Sequence, residues 1–274
     1  MSSAAARVAL QDRIRRIERP NARSGAVLPL GHAAIDRVLP GGGLALGALH
    51  EILGTDGDEE DGAAAAGFAA ALAGRIVGRI VDDQPAGVVL WALPRGDLYG
   101  PGLAAFGLDP ARVVRVMAAR DADILWALEE ALRAAGSFGG IVAAIGEIAR
   151  LPMVAGRRLQ LAAERAGATA LVLRRWRHAA EAAAERTRPS AATTRWRVAA
   201  LPALPMADAP GIGRPRWRVE LLRCRGGTPA SWELELPSEL EVADASDPVR
   251  LPAALADRPA APQRPHAEPR RRVG

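Results

Sequence analysis

The sequence predicts an α/β domain with a mostly parallel sheet that antiparallel strands extend. Between about residues 40 and 175, short runs that are apolar throughout alternate with longer helical patterns. This alternation is typical of βαβ units, in which helices cover both faces of a parallel sheet. After Trp176 the pattern changes to strict alternation of apolar and polar residues, which favours half-buried antiparallel strands.

The individual elements follow from local periodicity and from turn residues. Continuous apolar runs predict five strands, at 48–53, 86–92, 113–118, 140–145 and 168–173. Helical patterns predict helices at 4–19, 32–39, 63–81, 100–107, 121–135 and 153–166. Asp121 is expected near the N-cap of its helix, and Gly167 is expected to close the last of them. Period-two alternation predicts three further strands, at 193–200, 216–224 and 231–236.

The length of 274 residues predicts one large domain with extensions. The predicted parts are an N-terminal amphipathic helix and linker at 1–24, the α/β domain at 25–240 and a Pro/Arg-rich tail at 241–274, whose composition is typical of disorder. No uncharged apolar run reaches about 18 residues, so no membrane span is expected. The single cysteine, Cys224, excludes an internal disulfide and is expected to be a small buried residue. A cytoplasmic location follows as the expectation.

All positive side chains that are permanently charged are arginines, because the sequence contains no lysine among its 36 Lys+Arg residues. Any mechanism that needs a lysine is therefore excluded for this chain. The arginines are unevenly spread, with fifteen against five acidic residues between 151 and 230. Such an excess favours either contact with nucleic acid or an acidic protein, or simply a solvated face.

The segment after the first strand has the order of a phosphate-binding loop without its chemistry. In the pattern GxxxxGK[ST], backbone N–H groups surround the phosphates, lysine reaches the terminal ones and a hydroxyl holds Mg²⁺. Counted from Gly54, the lysine position is Glu60 and the hydroxyl position is Asp61. Carboxylates would repel phosphate by about 1 kcal/mol per pair even in bulk water. We interpret the segment as an exposed acidic turn in which Asp61 caps the following helix. The degenerate loop comprises Gly54, Gly57, Glu59, Glu60, Asp61 and Gly62.

The acids that a nucleotide hydrolase needs at the ends of neighbouring strands are also missing. The second strand ends in Trp91, Ala92 and Leu93, and Ile145 stands near the usual position of the Mg²⁺-binding acid. Glu147 follows two residues later, and we interpret it as a helix-start carboxylate rather than a displaced acid. The sequence therefore predicts no catalytic residue, metal ligand or cofactor.

Three groups of arginines are candidate interaction or nucleic-acid surfaces. The first lies on the helix at 153–166, the second follows the fifth strand beside Trp176, and the third forms a basic stripe if the later strands are neighbours. Their members are Arg157 and Arg158; Arg174, Arg175 and Arg177; and Arg195, Arg197, Arg216 and Arg218. Arginine with tryptophan suits both single-stranded nucleic acid and a protein interface, and the sequence leaves the two open. The tryptophans opposite the stripe are expected in the core.

Six segments in a fixed order, spanning about residues 26–236, resemble the ImuA family, a degenerate RecA-like family sometimes grouped with SulA-like proteins. They read "LPGGGLALGALHEI", "VVLWALPRGDLYGPGLAAFGLDPARVVRV", "ILWALEEALRAAG", "GRRLQLAAERAGATALVLR", "AATTRWRV" and "GRPRWRVELLRCRGG". The resemblance implies a RecA-like core of the P-loop NTPase type. The resemblance assigns no catalytic residue, because no residue of this sequence matches a catalytic position of RecA-like proteins.

The resemblance also implies a function. Members of the family belong to SOS-regulated cassettes and act as accessory proteins in translesion DNA synthesis. The implied partners are an ImuB-like inactive Y-family polymerase homologue, an error-prone DNA polymerase III alpha-type subunit and RecA, with direct DNA contact left open. We therefore expect that this protein is not an enzyme. A SulA-like cell division inhibitor, an ATP-dependent recombinase and a DNA-binding protein remain the alternatives.

Overall fold

A computed structural model describes residues 26–81, 84–85, 87–135, 140–176, 179–186, 188–203, 205–206, 209–213 and 215–235. The predicted helix at 4–19, the predicted tail and Arg177 lie outside the described residues, as do the domain boundaries placed after residues 24 and 240. The side chains of Asp58 and Glu59 are also outside the description.

The fold is an α/β architecture on one mixed, mostly parallel sheet of eight strands. The strands are β1 (Leu49–Gly54), β2 (Val88–Leu93), β3 (Val113–Met117), β4 (Ile141–Ile148), β5 (Thr169–Arg174), β6 (Thr194–Leu201), β7 (Arg216–Cys224) and β8 (Ala230–Glu235). Their spatial order is β8-β7-β6-β1-β5-β4-β2-β3. Strand β7 pairs antiparallel with both neighbours, and every other pair in the sheet is parallel. The carboxyl ends of seven strands therefore meet at one edge.

Helices cover both faces of this sheet. They are α1 (Ala33–Asp36), α2 (Asp58–Val77), α3 (Asp121–Ala134), α4 (Met153–Ala166) and α5 (Ala179–Arg186), with 3₁₀ helices at Gly100–Phe106 and Pro110–Arg112. Alternate strand residues point to opposite faces, so Ile145 packs in the core beneath α2 while Ala144 packs in the core beneath α3 and α4. Three two-stranded pairs complete the described part: Val27–Leu28 with Leu44–Ala45, Ile80–Val81 with Gln84–Pro85, and Pro205–Met206 with Ala209–Gly213.

The structure confirms the predicted strands and corrects several element ends. Strand β4 continues to Ile148, so Glu147 belongs to a strand and the helix-start interpretation of it was wrong. Asp121 lies next to the N-cap of α3, which is Arg120, as predicted. Its carboxylate accepts hydrogen bonds from the N–H groups of Ala149 and Arg150 at 3.3 and 2.9 Å. Strand β6 runs parallel to β1 and is antiparallel only to β7, so the later strands are not all antiparallel.

The aromatic core lies between α2 and the β6–β7 end of the sheet, as predicted for the tryptophans opposite the arginines. Trp196 and Trp217 are both buried, with ring centroids 5.5 and 6.3 Å from that of Phe68. Cys224 is buried near this core, and burial raises the pKa of its thiol. No helix among the described residues is long and apolar enough to cross a bilayer.

A neutral histidine ties β1 to β6 inside the sheet. His50 is fully buried, its Nε2–H donates to the Ala45 carbonyl at 2.8 Å, and its Nδ1 accepts from the Thr194 hydroxyl at 2.7 Å. The same hydroxyl oxygen accepts a hydrogen bond from Trp196 Nε1 at 2.7 Å, which leaves its own proton for His50. Burial is the main cause that lowers the pKa of His50 to about 4, and the bond to Ala45 opposes it.

Acid should destabilise the fold through this residue. Because the pKa of His50 is lower in the folded chain, the unfolded chain binds more protons as the pH falls from about 6.5 to about 4. The free energy of unfolding should drop over that window by roughly 3 kcal/mol and should not drop further from this group below it. Urea unfolding at several pH values, for the wild type and for His50→Asn, measures the effect. Parallel pH profiles for the two proteins would contradict it.

Candidate functional site

The loop between β1 and α2 is shorter than the sequence predicts. Helix α2 begins at Asp58 rather than near residue 63, and Gly57 is its N-cap. The run of acids from Asp58 to Asp61 therefore forms the first turn of the helix, where the helix dipole favours negative charge, and is not an exposed loop. Only Thr55, Asp56 and Gly57 connect strand and helix. The last of the four variable positions of the phosphate-loop pattern, Asp58, is thus already helical.

The carboxylate of Asp61 accepts hydrogen bonds from the backbone of the β1–α2 loop. Its Oδ2 accepts hydrogen bonds from the N–H groups of Thr55 and Asp56 at 3.1 and 3.0 Å, and its Oδ1 accepts one from the N–H of Ala200 at 2.8 Å. The residue is buried and is not the N-cap, so the interpretation of Asp61 as an exposed cap was wrong. Strand β6 extends beyond β1, and Asp61 accepts the hydrogen bond of the Ala200 N–H, for which β1 has no partner.

The remaining loop residues follow from this arrangement. A Cβ added at Gly54 would lie 3.2 Å from the Cβ of Asp61, so the absence of a side chain there gives Asp61 its room. Glu60 is exposed, and Gly62 lies in α2, buried at the edge of a neighbouring cleft. The loop thus uses its backbone donors on a carboxylate of the same chain.

A second buried carboxylate, Glu147, lies at the carboxyl edge of the sheet. The sequence does not predict the contacts that it makes there. Glu147 is buried on β4, where Oε1 accepts from Trp91 Nε1 and Oε2 from Arg175 Nη1, both at 2.8 Å. Arg175 also pairs with Asp97 at 3.1 Å. Burial is the main cause that raises the pKa of Glu147, and the charge of Arg175 opposes it. Arg175 is therefore held by two carboxylates and is not an open basic surface.

A cleft of about 330 Å³ lies above this centre, against the first turns of α2. Its lining is mainly apolar and combines Ala66, Leu98 and Phe106 with the Glu147–Arg175 pair. Among the described residues, no group of three His, Cys, Asp or Glu side chains is placed to hold a metal ion. The cleft is suited to an apolar group and lies beside the loop that Asp61 occupies.

Two of the predicted surface arginines are interior groups. Arg174 on β5 pairs with Glu51 on β1 at 2.5 Å and with Glu185 on α5 at 2.7 Å. Arg195 on β6 pairs with the same Glu51 at 3.2 Å, and burial lowers the pKa of its guanidinium. The predicted surface role was wrong for both, because each is less than 7% exposed within this network of two arginines and two glutamates.

Trp176 is also unavailable as a stacking platform for a base. It is buried, its Nε1 donates to the Ala149 carbonyl at 3.0 Å, and its ring centroid lies 5.3 Å from the guanidinium carbon of Arg174. In the described part of the Arg–Trp segment, Arg174 and Trp176 therefore form an internal cation–π contact.

The predicted basic stripe on β6 and β7 lacks Arg195, which is buried, and its other three arginines are paired with acids. Arg197 contacts Glu220 directly opposite on β7, with an N–O distance of 2.8 Å. Arg216 and Arg218 both contact Glu233 on β8, at 3.1 and 3.5 Å. The strands are neighbours as supposed, and cross-strand pairing neutralises much of the face that they form.

Arg157 and Arg158 lie on the exposed side of α4, as the sequence predicts. Arg158 forms an ion pair with Glu129 of α3, whereas Arg157 has no ion pair among the described residues. Sequence reasoning missed Glu51 and Glu185, the acids that hold Arg174. A carboxylate inside the apolar run "LHEILG" was the available signal for Glu51, since a buried charge requires a partner.

Comparison with known proteins gives a consistent relationship. No protein-family model matches the chain. The chain is 41% identical over 233 residues to "Protein ImuA" from two strains of Caulobacter vibrioides, and each match covers 84% of this chain and 91% of the relative.

Proposed function

The chain belongs to the ImuA family, and on that premise we propose that it is a non-catalytic, RecA-like accessory protein of an SOS-induced translesion DNA synthesis complex. It acts through protein contacts. The partners in this proposal are an ImuB-like inactive Y-family polymerase homologue, an error-prone DNA polymerase III alpha-type subunit and RecA, as family resemblance implies.

The sheet supports the RecA-like part of this proposal. Strand β1 lies in the interior of the sheet between β5 and β6, and its carboxyl end leads through a short loop into α2. This strand–loop–helix unit stands where an open α/β sheet generally binds ligands, outside the carboxyl ends of its strands. The architecture is therefore compatible with a RecA-like core.

The observation that carries the non-catalytic part is the position of Asp61. A phosphate at the β1–α2 loop would need the N–H groups of Thr55 and Asp56, which both donate to the Asp61 carboxylate. Two anions cannot share these donors without strong repulsion at short distance. The chain also has no lysine to offset that repulsion. A triphosphate would have to displace a buried carboxylate and break its third bond, to Ala200.

The proposal predicts separate outcomes in cells and in solution. Deletion of the gene should abolish damage-induced mutagenesis, and a copy with Glu60→Gln, altered at the exposed lysine position of the loop, should restore it fully. Calorimetry should detect no Mg-ATP binding to the purified chain. The mutation frequency after ultraviolet irradiation measures the first outcome, and a heat of binding measures the second.

Other outcomes would favour other functions. ATP turnover stimulated by single-stranded DNA and altered by substitutions at 54–64 would indicate a recombinase. Filamentation on overproduction without DNA damage would indicate a SulA-like inhibitor of division. Unchanged induced mutagenesis after deletion would refute the proposed function.

A further inference from the structure

Exposed apolar side chains are concentrated on the outer faces of α3 and α4. Seven large apolar side chains are exposed among the described residues, and four of them lie on these two helices. Trp126 on α3 is 64% exposed, and Val154 and Leu161 on α4 are 72% and 37% exposed; the fourth is Met153. Such a grouping on neighbouring helices is typical of a surface that contacts another molecule.

Helical periodicity places Trp126 and Val154 one turn before residues that line a groove between the two helices, and Leu161 lines that groove itself. On α3, Trp126 lies one turn before Glu129 and Glu130, and on α4, Val154 lies one turn before Arg158 and two before Leu161. Glu129 forms an ion pair with Arg158 across the two helices, so the two stripes face each other. Between their later turns lies a groove of about 450 Å³ with Leu132, Leu161 and Ala162 in its lining.

The charge of the groove is positive. Its lining contains Arg133, Arg158 and Arg165 against the single acid Glu129. Glu129 is buried and already accepts from both Arg133 and Arg158. Arg165 is exposed and has no ion pair within the described ranges. The groove therefore offers guanidinium groups that carboxylates can bind.

We propose that this groove binds an acidic amphipathic helix of a partner protein. A third helix fits the furrow between two packed helices, its apolar side chains contacting Trp126, Leu132 and Leu161 and its carboxylates contacting Arg158 and Arg165. Tryptophan and arginine are the residues most often dominant in such contacts. Nucleic acid suits the groove less well, because its phosphates repeat along the whole strand and would meet Glu129 and Glu130 as well as the arginines. A helix can instead place apolar residues beside these acids and its carboxylates beside Arg165.

A peptide library measures the chemistry of the partner directly. Random peptides about 18 residues long, enough for five helical turns, are displayed on phage and panned against the full chain. The selected sequences should be rich in Asp and Glu and carry apolar residues at i, i+3 or i+4, and i+7. A selected peptide, synthesised and labelled, should bind Trp126→Ala and Arg165→Glu at least about ten-fold more weakly than the wild type.

Two matched variants control for general effects. Met117→Ala removes another exposed apolar side chain, on β3, and Arg225→Glu reverses another exposed arginine outside the groove. Both should change the affinity less than about two-fold. Circular dichroism checks that all four variants are folded. We expect them to be, because the altered side chains are exposed.

Three results would overturn the proposal. They are no enrichment of any sequence, selected peptides that bind Trp126→Ala and Arg165→Glu as tightly as the wild type, and a single-stranded oligonucleotide that binds at physiological salt and is lost in these two variants. The last result would identify a nucleic-acid surface instead.

The proposal rests on the proposed function in that it supplies the surface for a protein contact, yet the two fail separately. If Trp126→Ala and Arg165→Glu lose the peptide but support normal induced mutagenesis, the groove stands and its role in mutagenesis is refuted. If deletion of the gene leaves mutagenesis unchanged, the proposed function fails while the peptide measurements are unaffected.

Discussion

Replacing Glu51 with glutamine should lower the free energy of unfolding by about 3–5 kcal/mol, the cost of leaving a buried charge without its partner. Glu51 is fully buried and contacts both Arg174, at 2.5 Å, and Arg195, at 3.2 Å. Without its charge, Arg174 would keep its contact with the Glu185 carboxylate, whereas the contact of Arg195 with Glu185 is to the backbone carbonyl. Glutamine has the same shape as glutamate, so the loss would be electrostatic rather than a loss of packing.

Glu220→Gln provides a matched control on the neighbouring strand. Glu220 pairs with Arg197 in the same manner, but both side chains are about a quarter exposed, so water screens the pair. We expect a loss of about 1 kcal/mol or less there. Urea unfolding followed by tryptophan fluorescence at neutral pH compares the two variants. Similar small losses in both would show that the Glu51 network contributes no more than a surface ion pair.

The network also shows where sequence reasoning succeeds and where it stops. The strands were predicted correctly because an apolar run of strand length is a local signal that neighbouring residues carry. Whether Arg174 is a surface group depends on Glu51, more than a hundred positions away in the chain. No local pattern contains that information, since an arginine at the end of a strand looks the same with and without a buried partner.

The prediction of the β1–α2 loop was wrong for a different reason. The sequence places the acids at 58–61 in a turn before the helix because Asp61 is interpreted as the cap, yet the first turn of a helix favours carboxylates as well. The helix therefore begins five residues earlier than predicted, at Asp58. The helix-start interpretation of Glu147 is wrong because the strand continues past Gly146. The Glu147 side chain therefore contacts Trp91 and Arg175.

The sequence predicts that a conventional phosphate site is absent, but it does not predict what the backbone donors of the loop bind instead. That Glu60 stands where lysine is required follows from counting residues. That Asp61 fills the loop depends on Ala200, which arrives from β6 and donates the third hydrogen bond. The hydrogen bonds that hold Asp61 at the loop therefore depend on a tertiary contact, which is visible only in the folded chain.

Replacing Asp61 with asparagine should lower the free energy of unfolding by about 2–4 kcal/mol, because hydrogen bonds to a charged acceptor are the stronger ones. Both oxygens of Asp61 accept from backbone N–H groups, Oδ2 from Thr55 and Asp56 and Oδ1 from Ala200. An amide offers only one oxygen, so in either orientation its NH₂ faces a backbone donor. Urea unfolding measures the loss.

Glu60→Gln is the matched control, since Glu60 is exposed in the same helical turn. It should lose only the favourable interaction with the helix dipole, about 0.3–1 kcal/mol. A second test uses Asp61→Ala, which frees the loop donors for another anion. Sulfate should then raise the melting temperature of Asp61→Ala more than that of the wild type or of Glu60→Gln. Equal responses to sulfate in all three proteins would mean that the loop donors do not form an anion site, and that Asp61 stabilises the fold without substituting for a phosphate.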